Sequence, residues 1–222
     1  GDQGTMIITE DGGKTWRKYE SGTKENLRDI SVAKDKLVAV GDNGVAVEYK
    51  IPIISQYMPK KLFVEETEEI KLVSDANWKK VDSFVNVRLR EVFFINANEG
   101  WIVGDEGTIL HTTDGGTTWS KQQCPINIPL IAVHFISPKL GWIMAQDATI
   151  LTTSNGGESW RIQTGAPKPM MTVQDEELNS IKINYELRHA FFPLSSEGWA
   201  VGKYGAILHN PDGGPVWLDQ ES

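Results

Sequence analysis

The sequence predicts an all-β protein, a β-propeller of four-stranded antiparallel blades. Three observations predict it: a tryptophan-bearing strand that recurs, a glycine hairpin that recurs behind it, and a regular spacing between copies. The strand is Gly100-Trp101-Ile102-Val103-Gly104, Gly141-Trp142-Ile143-Met144-Ala145 and Gly198-Trp199-Ala200-Val201-Gly202. The hairpin is Asp114-Gly115-Gly116, Asn155-Gly156-Gly157 and Asp212-Gly213-Gly214, followed by Trp119, Trp160 and Trp217 respectively. Trp78, Trp119 and Trp160 stand 41 residues apart in turn, and a period of that size made of short strands is that of a propeller blade.

The elements follow in order. Residues 1–21 read as the trailing half of a blade, in which Gly1-Asp2-Gln3-Gly4 leads to a hairpin at Asp11-Gly12-Gly13 and then to Trp16. Residues 22–85 are a degenerate blade that keeps Val40-Gly41-Asp42-Asn43-Gly44 and carries an insertion at 51–75 before Trp78. Residues 86–125 and 126–165 are regular blades. In the first of them strands are expected at 89–94, 100–104, 108–113 and 118–122, with glycine supplying the positive φ of the hairpin. Residues 166–222 form the last blade, lengthened by an insertion at 166–184. That insertion reads as a loop whose Met170 and Met171 are adaptable contacts for a partner or for the next blade. About four and a half blades result. Because the opening half has no inner strands, its edge would be unpaired, and the chain reads as the C-terminal portion of a larger propeller.

Composition removes several function classes. The 222 residues carry 22 basic and 30 acidic side chains, a net charge of −8, which argues against binding along a nucleic-acid backbone. No run of 18 apolar residues exists, so no membrane-spanning helix is expected, and the first residues show no signal-peptide pattern. A single cysteine, Cys124, allows no internal disulfide and no cysteine-rich metal site.

The hairpin motif carries a resemblance. Thr9-x-Asp11-x-Gly13-x-Thr15-Trp16 returns as Thr112-x-Asp114-x-Gly116-x-Thr118-Trp119 and, with exchanges, as Thr153-x-Asn155-x-Gly157-x-Ser159-Trp160. This resembles the Asp-box, or bacterial neuraminidase repeat. The longer string through Gly-Trp-x-Val-Gly-Asp-x-Gly-Thr-Ile-Leu is similar to the photosystem II stability and assembly factor family of propellers. The last box departs from the pattern at Asn210 and Val216. The resemblance implies a non-enzymatic scaffold that binds a protein partner, works in complex assembly, and acts in an extracytoplasmic compartment (secreted, periplasmic or thylakoid lumen). Sialidases also carry the Asp-box, so a sialidase- or glycosidase-like hydrolase, with its active site largely outside this segment, is the alternative. Arg161-Ile162 begins a sialidase-like segment, but Gln163 follows it instead of proline.

The candidate residues divide accordingly. Asp11, Trp16, Asp114, Trp119, Asn155, Trp160, Asp212 and Trp217 are read as structural, each acidic or amide group bonding across its own turn beneath a tryptophan. One carboxylate per box is too few for calcium, which takes six to eight oxygens. No catalytic residue, metal ligand or cofactor is expected, and His111 and His209 read as ordinary strand residues of separate blades. The exception is a run of arginines. Arg28, Arg90 and Arg188 share one repeat position at the start of the innermost strand, where the remaining blade has Ile131. They are expected to circle one mouth of the channel as a positive patch for an acidic peptide or a protein C-terminus, with an anionic small ligand as the alternative. The competing expectation is that they only tie neighbouring blades together through Asp29 and Glu91.

Overall fold

The structure, a computed structural model, describes residues 1–9, 11–33, 35–50, 78–147, 149–163, 170–175, 178–184, 187–194, 197–211 and 218–220. Alternating apolar residues cut by glycine turns produce short antiparallel strands. A hairpin of β1 (Thr5–Ile8) and β2 (Arg17–Glu20) comes first. The next sheet runs β3 (Leu27–Ala33), β4 (Lys36–Gly41), β5 (Ala46–Lys50) and β6 (Lys79–Val81), paired in that order. Then come β7 (Leu89–Phe94), β8 (Gly100–Gly104), β9 (Ile109–Thr112) and β10 (Ser120–Lys121), and after them β11 (Leu130–Phe135), β12 (Gly141–Ala145), β13 (Ile150–Thr153) and β14 (Arg161–Ile162). A second hairpin, β15 (Met170–Asp175) with β16 (Leu178–Asn184), precedes the last sheet of β17 (Leu187–Leu194), β18 (Glu197–Gly202), β19 (Ile207–Asn210) and β20 (Leu218–Asp219). Four-stranded antiparallel blades in series make this a β-propeller fold. No helix among the described residues is long and apolar enough to cross a membrane.

Two expectations need correction here. The outer strands are shorter than 108–113 and 118–122: Thr118 gives its N–H to the Asp114 side chain and Thr108 gives its own to the Asp105 carbonyl, not to the ladder. The insertion at 166–184 is not a loop, since β15 and β16 pair with each other over most of it. The insertion at 51–75 and the residues Asp212 and Trp217 lie outside the described residues.

The core lies between blades, not within them. Each blade is one sheet thick, so both of its faces must be covered, and strands such as β8 are buried at every position. Val38, Val40 and Ala46 of one blade pack on Leu89, Val92, Ile102 and Trp119 of the next. Trp101, Val103 and Ile109 meet Leu130, Val133, Ile143 and Trp160, and Met144 and Ile150 meet Leu187, Ala190 and Leu208. Successive inner strands β3, β7, β11 and β17 therefore lie side by side. The inner strand of the first four-stranded sheet is less covered than the others. Ile30 is 50% exposed, while Val92, Val133 and Ala190 at the same repeat position are 3–4% exposed.

Candidate functional site

The inner strands open with a buried leucine: Leu27, Leu89, Leu130 and Leu187. After each one the pairing register slips by a residue, so Arg28, Arg90, Ile131 and Arg188 are the extra residue of a β-bulge in all four blades. A bulge breaks the alternation of the strand and re-aims one side chain. Here it turns the three arginines toward one opening, whereas Ile131 stays in the core with Leu187 and Ala190. Arg28, Arg90 and Arg188 consequently line one cavity of about 310 Å³, together with Arg88, Asp29, Glu91, His189 and Ile131. The expectation that the three arginines meet at one opening agrees with this geometry. Arg88 is an addition that sequence reasoning missed, because no other blade repeats it.

Glycine brings a carboxylate to each of the first two arginines. A Cβ on Gly41 would stand 2.0 Å from the Asn26 carbonyl oxygen, and one on Gly104 would stand 2.4 Å from that of Arg88. Only glycine allows such an approach, and it lets the following N–H of Asp42 and of Asp105 donate to those same carbonyls at 2.9 Å. The aspartate side chains then face the bulge. Arg28 grips Asp42 through two bonds, Nε to Oδ1 at 2.9 Å and a terminal nitrogen to Oδ2 at 2.6 Å, and Arg90 Nε donates to Asp105. Arg88 reaches across from the next blade to the same Asp42 at 2.9 Å. The Arg28 guanidinium hydrogen bond holds the Asp42 carboxyl down at about 2. Where the arginine is replaced by Ile131, the aspartate is replaced too, by Gln146, and in the last blade that position is Lys203.

Asp29 and Glu91 are thus not the partners of Arg28 and Arg90, which corrects the competing expectation for those two. Each accepts a backbone N–H from the next inner strand, Asp29 from Val92 at 2.9 Å and Glu91 from Val133. They tie blade to blade, as Arg88 does through Asp42, whereas Arg28 and Arg90 pair within their own blades. Burial in the channel wall pushes the Glu91 carboxyl up to about 8 against the pull of that N–H, with Asp29 adding repulsion, and burial raises Asp29 as well. Glu91, protonated below about 8, offsets little of the positive charge at neutral pH, whereas Asp42, held at about 2, is ionised and offsets part of it. Four guanidiniums face four carboxyl groups, Asp29, Asp42, Glu91 and Asp105.

A stability prediction follows with a definite sign. An acid whose folded value lies above its unfolded one holds more protons when folded, so its contribution is greatest below about 4.5 and is lost as pH rises to about 8. Glu91→Gln keeps an oxygen for the Val133 N–H but cannot ionise. Melting temperatures at pH 5, 6, 7 and 8 should show the variant gaining on the wild type at each step. A difference that stays flat or reverses would place the Glu91 carboxyl in water.

The remaining candidates are structural in their geometry. In the box at Asp114, Thr118 donates its N–H to Oδ1 at 2.9 Å and its hydroxyl to Oδ2 at 2.6 Å, and the Thr112 hydroxyl donates to Oδ1 at 2.8 Å. Asp11 repeats this with Thr15 and Thr9, and the Thr15 hydroxyl leads in holding its carboxyl at about 2. Asn155 accepts the Ser159 N–H and the Thr153 hydroxyl at Oδ1, but its amide nitrogen donates to the Ser159 hydroxyl at 3.1 Å, the reverse of the aspartate boxes. Trp16 and Trp119 each donate to the carbonyl of the hairpin glycine, at 3.1 Å, whereas Trp160 donates to Gln122. His111 stacks on Trp101 and bonds Glu99, and His209 stacks on Trp199 and bonds Glu197, each from the opposite strand of its own blade. Burial raises the Cys124 thiol, which disfavours a reactive thiolate. Among the described residues no group of three or more His, Cys, Asp or Glu is arranged to hold a metal.

Known structures share the fold. The chain superposes on YCF48 from Cyanidioschyzon merolae with a TM-score of 0.64 at 18% identity, over 89% of this chain and 56% of that one. It is also similar to a YCF48 bound to D1 peptide (TM-score 0.48, 17% identity, 88% of this chain and 82% of that one). The Niastella koreensis GH74 enzyme matches with a TM-score of 0.52 at 13% identity, over 98% of this chain and 30% of that one. At such identities the likeness is one of fold, and the chain spans little more than half the length of the first of these structures. No curated protein matches the sequence. The family model described as photosynthesis system II assembly factor YCF48 matches residues 70–160 and 121–220, more than half of the sequence, and the chain belongs to that family.

Proposed function

We propose that this propeller is a non-enzymatic binding module for another protein, acting in the assembly or stabilisation of a complex in an extracytoplasmic compartment. Its contact surface is the arginine-lined cavity, and its partner is an acidic peptide or a protein C-terminus. The observation that carries this reading is the bulge. It is kept in four blades, in three of them it presents an arginine, and those three share one cavity. A fold that needed only inter-blade ties has them already in Asp29 and Glu91. Guanidinium groups suit a carboxylate because two parallel N–H donors match its two oxygens.

One observation favours a hydrolase as the second reading, namely that Asp29 and Glu91 are two carboxyl groups in one cavity, as glycoside hydrolysis requires. Against it, both are engaged by backbone N–H groups of the next blade. A direct test uses an Asp-rich peptide with a free C-terminus and its amidated twin, titrated against the full chain by fluorescence anisotropy. The free acid should bind roughly tenfold tighter, the difference expected for one charge-assisted bidentate contact. Equal weak binding of both would remove the C-terminal carboxylate from the proposal.

A further inference from the structure

We propose that Asp42 and Asp105 are positioning residues of the arginine-lined cavity. Each stands behind its arginines and holds them by Nε, so that the terminal N–H fork of each guanidinium is the edge offered to a carboxylate. This deepens the reading given under Proposed function and rests on it.

The choice of nitrogen carries this. A guanidinium has five N–H donors in a rigid plane, one on Nε and two on each terminal nitrogen. In all three ion pairs between these arginines and aspartates, Nε is the atom used. Arg28 and Arg88 give theirs to Asp42 Oδ1 at 2.9 Å each, and Arg90 gives its own to Asp105 Oδ1. On Arg28 the same carboxylate also takes one terminal nitrogen, at 2.6 Å. The side edge of that plane is thereby occupied, and the pair of terminal nitrogens at its end is the fork a ligand meets. The lining agrees with this layering. Arg28, Arg88 and Arg90 line the cavity, whereas Asp42 and Asp105 do not.

The fold does not need these carboxylates. Each sits on a tight turn whose next two residues are left-handed, Asn43 and Gly44 in one blade and Glu106 and Gly107 in the other, with φ between 52° and 68°. The turn is anchored through the aspartate backbone. The N–H of Asp42 donates to the Asn26 carbonyl and that of Asp105 to the Arg88 carbonyl, both at 2.9 Å. Gln146 makes the same bond to Pro129 at 2.8 Å, in the blade where Ile131 replaces the arginine. The backbone bond thus forms without an aspartate, and the two carboxylates occur where an arginine stands before them. In the last blade the turn residue is Lys203, so this device belongs to the first two four-stranded blades. Asp2, at the same place in the opening turn, adds its charge beside Arg28.

Ordering one long side chain on binding weakens affinity by roughly threefold to tenfold. A residue that has already ordered it removes that loss. The experiment uses the full chain and a labelled Asp-rich peptide with a free C-terminus, titrated by anisotropy at pH 7 and one ionic strength. Asp105→Asn and Asp105→Ala both remove the charge, but only Asn keeps an oxygen for Arg90 Nε. Asp105→Ala should therefore bind roughly threefold to tenfold more weakly than Asp105→Asn. Equal affinities would overturn the proposal, because Asp105 would then act through its charge alone.

The difference must also run through Arg90. In an Arg90→Ala background the two variants should bind alike, and a difference that persists there overturns the positioning role. Asp42→Ala, which releases Arg28 and Arg88 together, should bind more weakly than Asp105→Ala; equal or tighter binding overturns the role of Asp42. Melting temperatures of the two Asp105 variants should agree within about 3 °C. Weak binding confined to a variant that also melts far lower would make Asp105 a prop of the fold instead. Firm binding by the wild type with no difference between Asn and Ala sinks the positioning role alone. The absence of binding by the wild type sinks the reading beneath it as well.

Discussion

Alanine in place of Trp119 should lower the stability of the folded chain by about 3–5 kcal/mol, while alanine in place of Trp16 should cost under about 1 kcal/mol. The two tryptophans occupy the same position of equivalent hairpins in different repeats. Both donate to the glycine carbonyl of that hairpin at 3.1 Å. Their surroundings differ. Trp119 is 5% exposed, meets Phe94 edge-on with ring centres 6.0 Å apart, and belongs to the core shared with Val38 and Val40 of the preceding blade. Trp16 is 56% exposed. If hydrophobic burial between blades is what holds the fold, the costs diverge; if the hairpin hydrogen bonds are what matter, they match. Urea melts of the two variants separate these cases, and equal costs would contradict the inter-blade account.

The same pair shows what the sequence made legible. The Asp-box is encoded within eight residues, and its hydrogen bonds at Asp11 duplicate those at Asp114 although the surroundings differ. Local chemistry of that kind reads directly from the motif. The blade also reads directly, because one period repeats tryptophan and glycine positions along the chain. The arginine position was visible for the same reason. The bulge was not: an extra residue in one strand leaves no mark in an apolar pattern, and it appears only when the partner strand is known.

The competing expectation took Asp29 and Glu91, their sequence neighbours, as counter-ions, and for Arg28 and Arg90 the structure gives others. Adjacent residues of a bulged strand point in different directions, and the true partners lie across a turn, 14 residues from Arg28 and 15 from Arg90. A signal existed, since arginine and aspartate occur together in two repeats and vanish together as Ile131 and Gln146 in a third. Arg88 and the hairpin of β15 and β16 lacked any such signal, because no other repeat contains a copy to compare.

Changing Arg28, Arg90 and Arg188 together to alanine should weaken binding of a free-acid peptide by at least about 100-fold, given that truncating one partner of a hydrogen-bonded charge pair costs about 2–5 kcal/mol. The melting temperature should move little. Arg28 is a surface ion pair, with 36% of its side chain exposed, and exposed pairs contribute little to folding. Asp42 keeps Arg88 as a partner, and the blade-to-blade bonds of Asp29 and Glu91 do not involve the arginines. The binding constant and the melting temperature of this one triple variant, measured side by side against the wild type at pH 6, test the central claim most directly. A collapse of binding with the melting temperature held within about 3 °C, the shift that roughly 1 kcal/mol produces in a chain of this size, is the predicted result. A large fall in melting temperature with peptide affinity intact would contradict it, and would make the arginines props of the propeller instead of its binding face.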